Sequence, residues 1–108
     1  MPNVTFYISQ GNMPADEALV ALTEYCAGLC TTILQAAPKN VHIVHIAVRP
    51  GRGHLVFVEI RYRREPHRTA AVMDRFMKEL EDAVRGSIGL AARIRCFGYD
   101  ASNIYARN

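Results

Sequence analysis

Residues 1–9 read MPNVTFYIS, and their alternation decides how the rest of the chain is parsed. Val4, Phe6 and Ile8 fall on one side and Asn3, Thr5, Tyr7 and Ser9 on the other, the period of a half-buried strand. The next stretch, QGNMPADEA, breaks that period. Gly11 and Asn12 make a turn, Pro14 suits a first helical position, and Asp16 and Glu17 favour a first turn through the helix dipole.

Leu19, Leu22, Cys26, Leu29, Cys30 and Ile33 recur at three- and four-residue steps, which predicts a helix of about six turns ending before Pro38. NVHIVHIAV reads as a second strand and RPGRGH as a short turn or hairpin. The grammar then restarts. LVFVEIRYR is a strand and REPHR a turn; Thr69–Ser87 is a helix with Met73, Phe76, Met77, Leu80 and Val84 on one side; ARIRCFGYD is the last strand.

A shift of 52 residues carries Val4 onto Val56, Ile8 onto Ile60, Pro14 onto Pro66, Ala18 onto Ala70 and Val20 onto Val72. The order of these matches follows the order of elements, so the chain reads as a single domain of two β-α-β units, about 1–52 and 53–108. The expected fold is α/β (α+β), a four-stranded mixed sheet with two helices on one face.

Val4, Phe6, Ile8, Val44, Ile46, Val48, Val56, Val58, Ile60 and Ile94 are assigned to the covered face of that sheet. The opposite face would carry Thr5, Tyr7, Ile43, Phe57, Glu59, Arg61, Arg63, Arg93, Arg95 and Phe97. This set is too apolar for bare solvent and too charged for a core. It is expected to pack against copies of itself in a closed oligomer, with Glu59 pairing an arginine of a neighbour.

Composition bounds the function classes. Of 108 residues, 50% are hydrophobic and 21% charged, a balance that excludes a disordered tail. The net charge of +3 and a pI near 9.0 favour anionic partners without choosing among them. Three cysteines with no secretory signal ahead of them point to the cytoplasm, and no apolar run has the length of a membrane span.

Cys26 and Cys30 read as small core residues, His42 and His45 point to opposite faces of one strand, and His54 and His67 sit in exposed turns, so no metal site is expected. GRGH lacks the strand-to-helix context of a phosphate loop. Pro2 has a plain structural reading, because a proline is tolerated at the first residue of a strand. Arg63, Arg64 and Arg68 lie around the end of the third strand, where they could bind a carboxylate through paired hydrogen bonds.

A strand beginning at Pro2, two tandem β-α-β halves and an arginine-rich turn after the third strand together resemble the tautomerase superfamily. That superfamily includes 4-oxalocrotonate tautomerase, macrophage migration inhibitory factor and cis-3-chloroacrylic acid dehalogenase. FYISQ, RREPHR and FGYDASNIYAR are similar to the dehalogenase group, in the same order along the chain. The resemblance implies a cofactor-independent keto-enol tautomerase or isomerase, assembled as a homotrimer, in which methionine removal frees Pro2 as general base. It implies a small 2-oxo or 2-hydroxy dienoic acid as substrate, with Arg64 and Arg68 most directly its carboxylate anchors. Tyr99 and Asn103, near the C-terminus, would line a neighbouring subunit's pocket.

Departures from the family bear on the chemistry. SNIYARN carries no Glu to activate water, TEYCAGLC carries no assisting histidine, and Cys96 falls where the dehalogenases place a tyrosine. Water addition is therefore expected less than tautomerisation. Two other readings stand beside this one. One is a noncatalytic assembly protein of the same fold. The other is a ferredoxin-like ligand- or RNA-binding domain, which shares the β-α-β-β-α-β order. VFVEIRY lacks the aromatic and glycine pattern used for base stacking, so nucleic acid is not an expected partner.

Overall fold

β1 (Asn3–Ser9), α1 (Asp16–Thr32), β2 (His42–Val48), β3 (Val56–Arg63), α2 (Ala70–Ile88) and β4 (Ala92–Tyr99) follow in that order in a computed structural model that describes all 108 residues. The strands lie in the order β2-β1-β3-β4. β1 pairs parallel with β2 and β3 parallel with β4, while the two inner strands are antiparallel. This is the expected four-stranded mixed sheet with two β-α-β crossovers, and both helices cover one face of it.

The inner register shows how the halves are related. Val4 lies opposite Ile60, Phe6 opposite Val58 and Ile8 opposite Val56. Under the 52-residue repeat Phe6 is equivalent to Val58, so this pair sits on the axis that exchanges the halves. Both of its side chains are fully buried.

α1 has 17 residues, about five turns rather than six. It starts after Pro14 and ends at Thr32; the loop beyond it turns at a left-handed Gln35 (φ +55°), and the Ala36 amide donates back to the Cys30 carbonyl at 3.0 Å. α2 starts at Thr69, whose hydroxyl accepts from the Val72 amide, and stops at the left-handed Gly89. RPGRGH is not a hairpin: β2 and β3 flank β1, so residues 49–55 cross its end, and the Ser9 amide donates to the Leu55 carbonyl at 2.8 Å.

The core joins Val4, Phe6, Ile8, Val56, Val58 and Ile60 to Leu22, Cys26 and Cys30 of α1 and to Phe76, Leu80 and Val84 of α2. Each large side chain so buried stabilises the fold by about 1.5–3 kcal/mol. The assignment of β2 is corrected. Phe6 lies beside His45, and the stacked rings (centroids 5.1 Å apart) put His45 under α1, where it shares a hydrogen bond with Thr23 Oγ1. Ile43 therefore packs on the core, while Val44 and Ile46 lie on the open face, 50% and 41% exposed. Apolar residues on both sides of β2 left its orientation undecided by periodicity. Only its parallel register on β1 fixes it.

No helix is long and apolar enough to cross a membrane.

Candidate active site

Pro2 precedes the first ladder residue of β1 and is buried, less than 2% exposed. Its carbonyl accepts from the His42 amide at 3.1 Å, which fixes it between the inner sheet and the 3-10 turn Pro38–Asn40 ahead of β2. Met1 lies directly outside it. A cavity of about 320 Å³ opens there, lined by Met1, Gln35, Asn40, Arg63, His67 and Arg68 among others.

The electrostatics of that mouth favour a neutral amine. The amino group of Met1 is lowered from its ordinary value, first by burial and then by the Arg63 and Arg68 guanidiniums.

Arg68 is held in place by its own framework. Its Nε donates to the Leu34 carbonyl at 2.9 Å and its Nη1 to the Arg63 carbonyl at 2.6 Å, which leaves Nη2 for other partners. His67 is not simply exposed in a turn, as its position suggested. It is half-buried, and its Nε2 reaches the same Leu34 carbonyl at 3.1 Å. A carbonyl only accepts, so Nε2 carries the hydrogen. The loop after α1, with Gln35 in its left-handed conformation, is thereby tied to the turn before α2.

The predicted residues divide. Arg63 and Arg68 share the cavity with Met1, and Glu65 also lines it. Arg64 lies in the adjoining depression of about 470 Å³, where its Nη1 donates to Asp100 at 3.2 Å. Tyr99 pairs with Arg63 across the β3–β4 ladder, and Asn103 is exposed in the 3-10 turn Ala101–Asn103, so neither lines the Met1 cavity of its own chain. Ile104, Ala106 and Asn108 do. Cys96 packs against the core, where burial pushes its thiol up to about 12. Sequence reasoning missed Asn40, Glu65 and His67. His67 stands beside Arg68 in REPHR, but nothing in the sequence places the Leu34 carbonyl within reach of both.

The open face carries rows of paired residues: Val44, Thr5, Glu59 and Arg95, then Ile46, Tyr7, Phe57 and Arg93. Tyr7 and Phe57 stack with centroids 5.7 Å apart, and Phe97 is 44% exposed beside Arg61. Glu59 is engaged by Arg61 of its own strand, Nε to Oε1 at 2.9 Å.

No protein-family model matches the chain, and no curated protein sequence matches it. Solved structures do. A macrophage migration inhibitory factor-like protein from Entamoeba histolytica aligns with TM-score 0.78 at 8% identity, covering 98% of this chain and 95% of that one. A member of the cis-3-chloroacrylic acid dehalogenase family gives TM-score 0.77 at 15% identity, covering 97% of this chain and 80% of that one. A fused 4-OT, an asymmetric trimer, gives TM-score 0.78 at 16% identity, covering 97% and 92%. Identities this low carry the fold alone. That fold is the one shared by the tautomerase superfamily.

Proposed function

We propose that this protein is a cofactor-independent tautomerase or isomerase in which removal of Met1 frees the Pro2 nitrogen as general base. The observation that carries the reading is the placement of Pro2: buried at the start of β1, behind a cavity where burial, Arg63 and Arg68 all lower the amine of Met1, the residue directly outside it. The likeness of fold to a 4-OT and to a cis-3-chloroacrylic acid dehalogenase family member supports it.

The substrate is a small 2-oxo or 2-hydroxy dienoic acid. Its carboxylate meets Arg63 and the free Nη2 of Arg68, which line the cavity, in preference to Arg64, which holds Asp100. Pro2 takes the proton that must move and returns it at another carbon. The negative charge that develops on oxygen in between is stabilised by the guanidiniums. Tautomerisation is favoured over hydration, because the C-terminal segment SNIYARN carries no Glu to activate water.

The open sheet face packs against copies of the chain in a homotrimer. Val44, Ile46 and Phe97 supply apolar area, and Glu59 faces the charges of Arg93 and Arg95 in such a packing. A cytoplasmic location agrees with the free cysteines.

Turnover of phenylenolpyruvate and of 2-hydroxymuconate by untagged protein, beside Pro2→Ala, tests the reading. Ketonisation that depends on the proline supports it. A trimer with no proline-dependent turnover would mark a noncatalytic assembly protein, and a monomer with salt-sensitive RNA binding would mark the ferredoxin-like alternative.

A further inference from the structure

Two neighbouring residues of REPHR share one acceptor. His67 Nε2 and Arg68 Nε both donate to the Leu34 carbonyl, at 3.1 and 2.9 Å, and that oxygen has a lone pair for each. The donors stand on a firm base. Their turn is closed by the Arg68 amide on the Glu65 carbonyl at 3.0 Å, and Thr69, the next residue, caps α2.

The acceptor stands on a strained one. The Leu34 carbonyl belongs to the planar peptide unit that carries the Gln35 amide, so its direction is tied to the φ of Gln35. That φ is +55°, in the left-handed region where a side chain is crowded and glycine is at ease. Relaxation of Gln35 to negative φ would turn the peptide unit and draw the carbonyl away from Arg68. The conformation persists because both flanking peptide units are pinned. The Ala36 amide on the Cys30 carbonyl holds the one after Gln35, and the two side-chain donors hold the one before it. Arg68 is thus oriented by an acceptor that is itself held under strain.

We propose that His67 is a positioning residue: by holding the Leu34–Gln35 peptide unit against the relaxation of Gln35, it keeps the carbonyl in place for Arg68 and so sets the guanidinium that a ligand carboxylate meets. It acts through Arg68 rather than on the ligand. The inference deepens the reading of Arg68 as a carboxylate anchor and rests on that part of it. It does not require Pro2 to be the base, which the Pro2→Ala assay tests separately.

Calorimetric titration with 3-phenylpropionate, an unreactive monocarboxylate, reads the anchor without turnover. His67→Ala should weaken binding about tenfold, the scale of one charge-assisted hydrogen bond, and should speed solvent exchange of the Arg68 Nε–H followed by 15N NMR. His67→Gln, whose carboxamide can donate to the same oxygen, should retain most of both. Gln35→Gly removes the strain, so the cost of His67→Ala measured in that background should fall to about twofold or less, a coupling that a double-mutant cycle reads. A role in stability alone predicts a lower urea midpoint for His67→Ala with affinity and exchange unmoved. That result, an undiminished cost in the Gln35→Gly background, or no binding of 3-phenylpropionate by the unmodified protein would overturn the proposal.

Discussion

Arg68 Nε donates to the Leu34 carbonyl at 2.9 Å, joining the turn before α2 to the loop after α1 across 34 residues of sequence. With its second bond, to the Arg63 carbonyl, the guanidinium is oriented before any ligand arrives. Such a group acts as both framework and binding site.

Arg68→Ala should therefore cost stability and affinity together. Losing one part-buried and one exposed charge-assisted bond is expected to lower unfolding free energy by about 1–3 kcal/mol, read as a fall in the urea midpoint, and to raise KM for a carboxylate substrate. Arg68→Lys keeps the charge but not the fork, so it should recover less of either than charge alone would restore. Full recovery by lysine would show that the carbonyl clamp is unimportant.

Arg63 acts differently, because its side chain is exposed at the end of β3. Its contribution to lowering the terminal amine is electrostatic. The base works when neutral, so activity rises with pH through its pKa. Arg63→Gln removes a cation and should move that acid limb to higher pH, with little change in the urea midpoint. Added salt should move the limb of the unmodified protein the same way, though not fully, since burial is the larger cause and salt does not screen it.

His45 gives a stability test. Burial lowers its pKa, so on acidification the unfolded chain takes up the proton first. Its contribution to pH dependence is nil above the ordinary histidine value. Stability is lost as pH falls through that value and levels off below the lowered folded one. Urea midpoints at several pH values should fall less steeply for His45→Gln than for the unmodified protein over that window. Parallel slopes would deny His45 this role.

Gly98 is required by its neighbour on β3. A Cβ there would meet the Tyr62 ring 2.8 Å from Cζ and from Oη, and Arg64 Cγ at 3.0 Å. Gly98→Ala should displace the half-buried ring at a cost of about 1–3 kcal/mol. The same change in a Tyr62→Ala background should cost much less, which a double-mutant cycle measures.

The repeat and the strand period made the fold legible. Alternation in β1 and β3 placed their faces correctly, and the 52-residue shift marked out the two β-α-β halves, though the antiparallel pairing of Phe6 with Val58 that joins them appears only in the structure. β2 was not legible, since Ile43, Val44, Ile46 and Val48 put apolar residues on both sides and only the Phe6–His45 register decides between them. Pro2 and the arginines could be picked out as candidates in the sequence, and the structure brings Arg63 and Arg68 to the cavity beside Met1. Which arginine turns toward Met1 was not legible. Arg63, Arg64 and Arg68 are alike in sequence, and the difference lies in tertiary partners, Asp100 for Arg64 and the Leu34 and Arg63 carbonyls for Arg68.

The central claim is that Pro2 carries a free, depressed secondary amine. It is tested most directly by a pH titration of the untagged protein labelled with 15N-proline, followed by NMR. The sequence has five prolines, and only one with a free nitrogen can titrate. The account expects one proline nitrogen to titrate, below the ordinary amino-terminal range of about 7.7–8.0. A spectrum in which no proline nitrogen titrates, or in which one does so within or above that range, would contradict it.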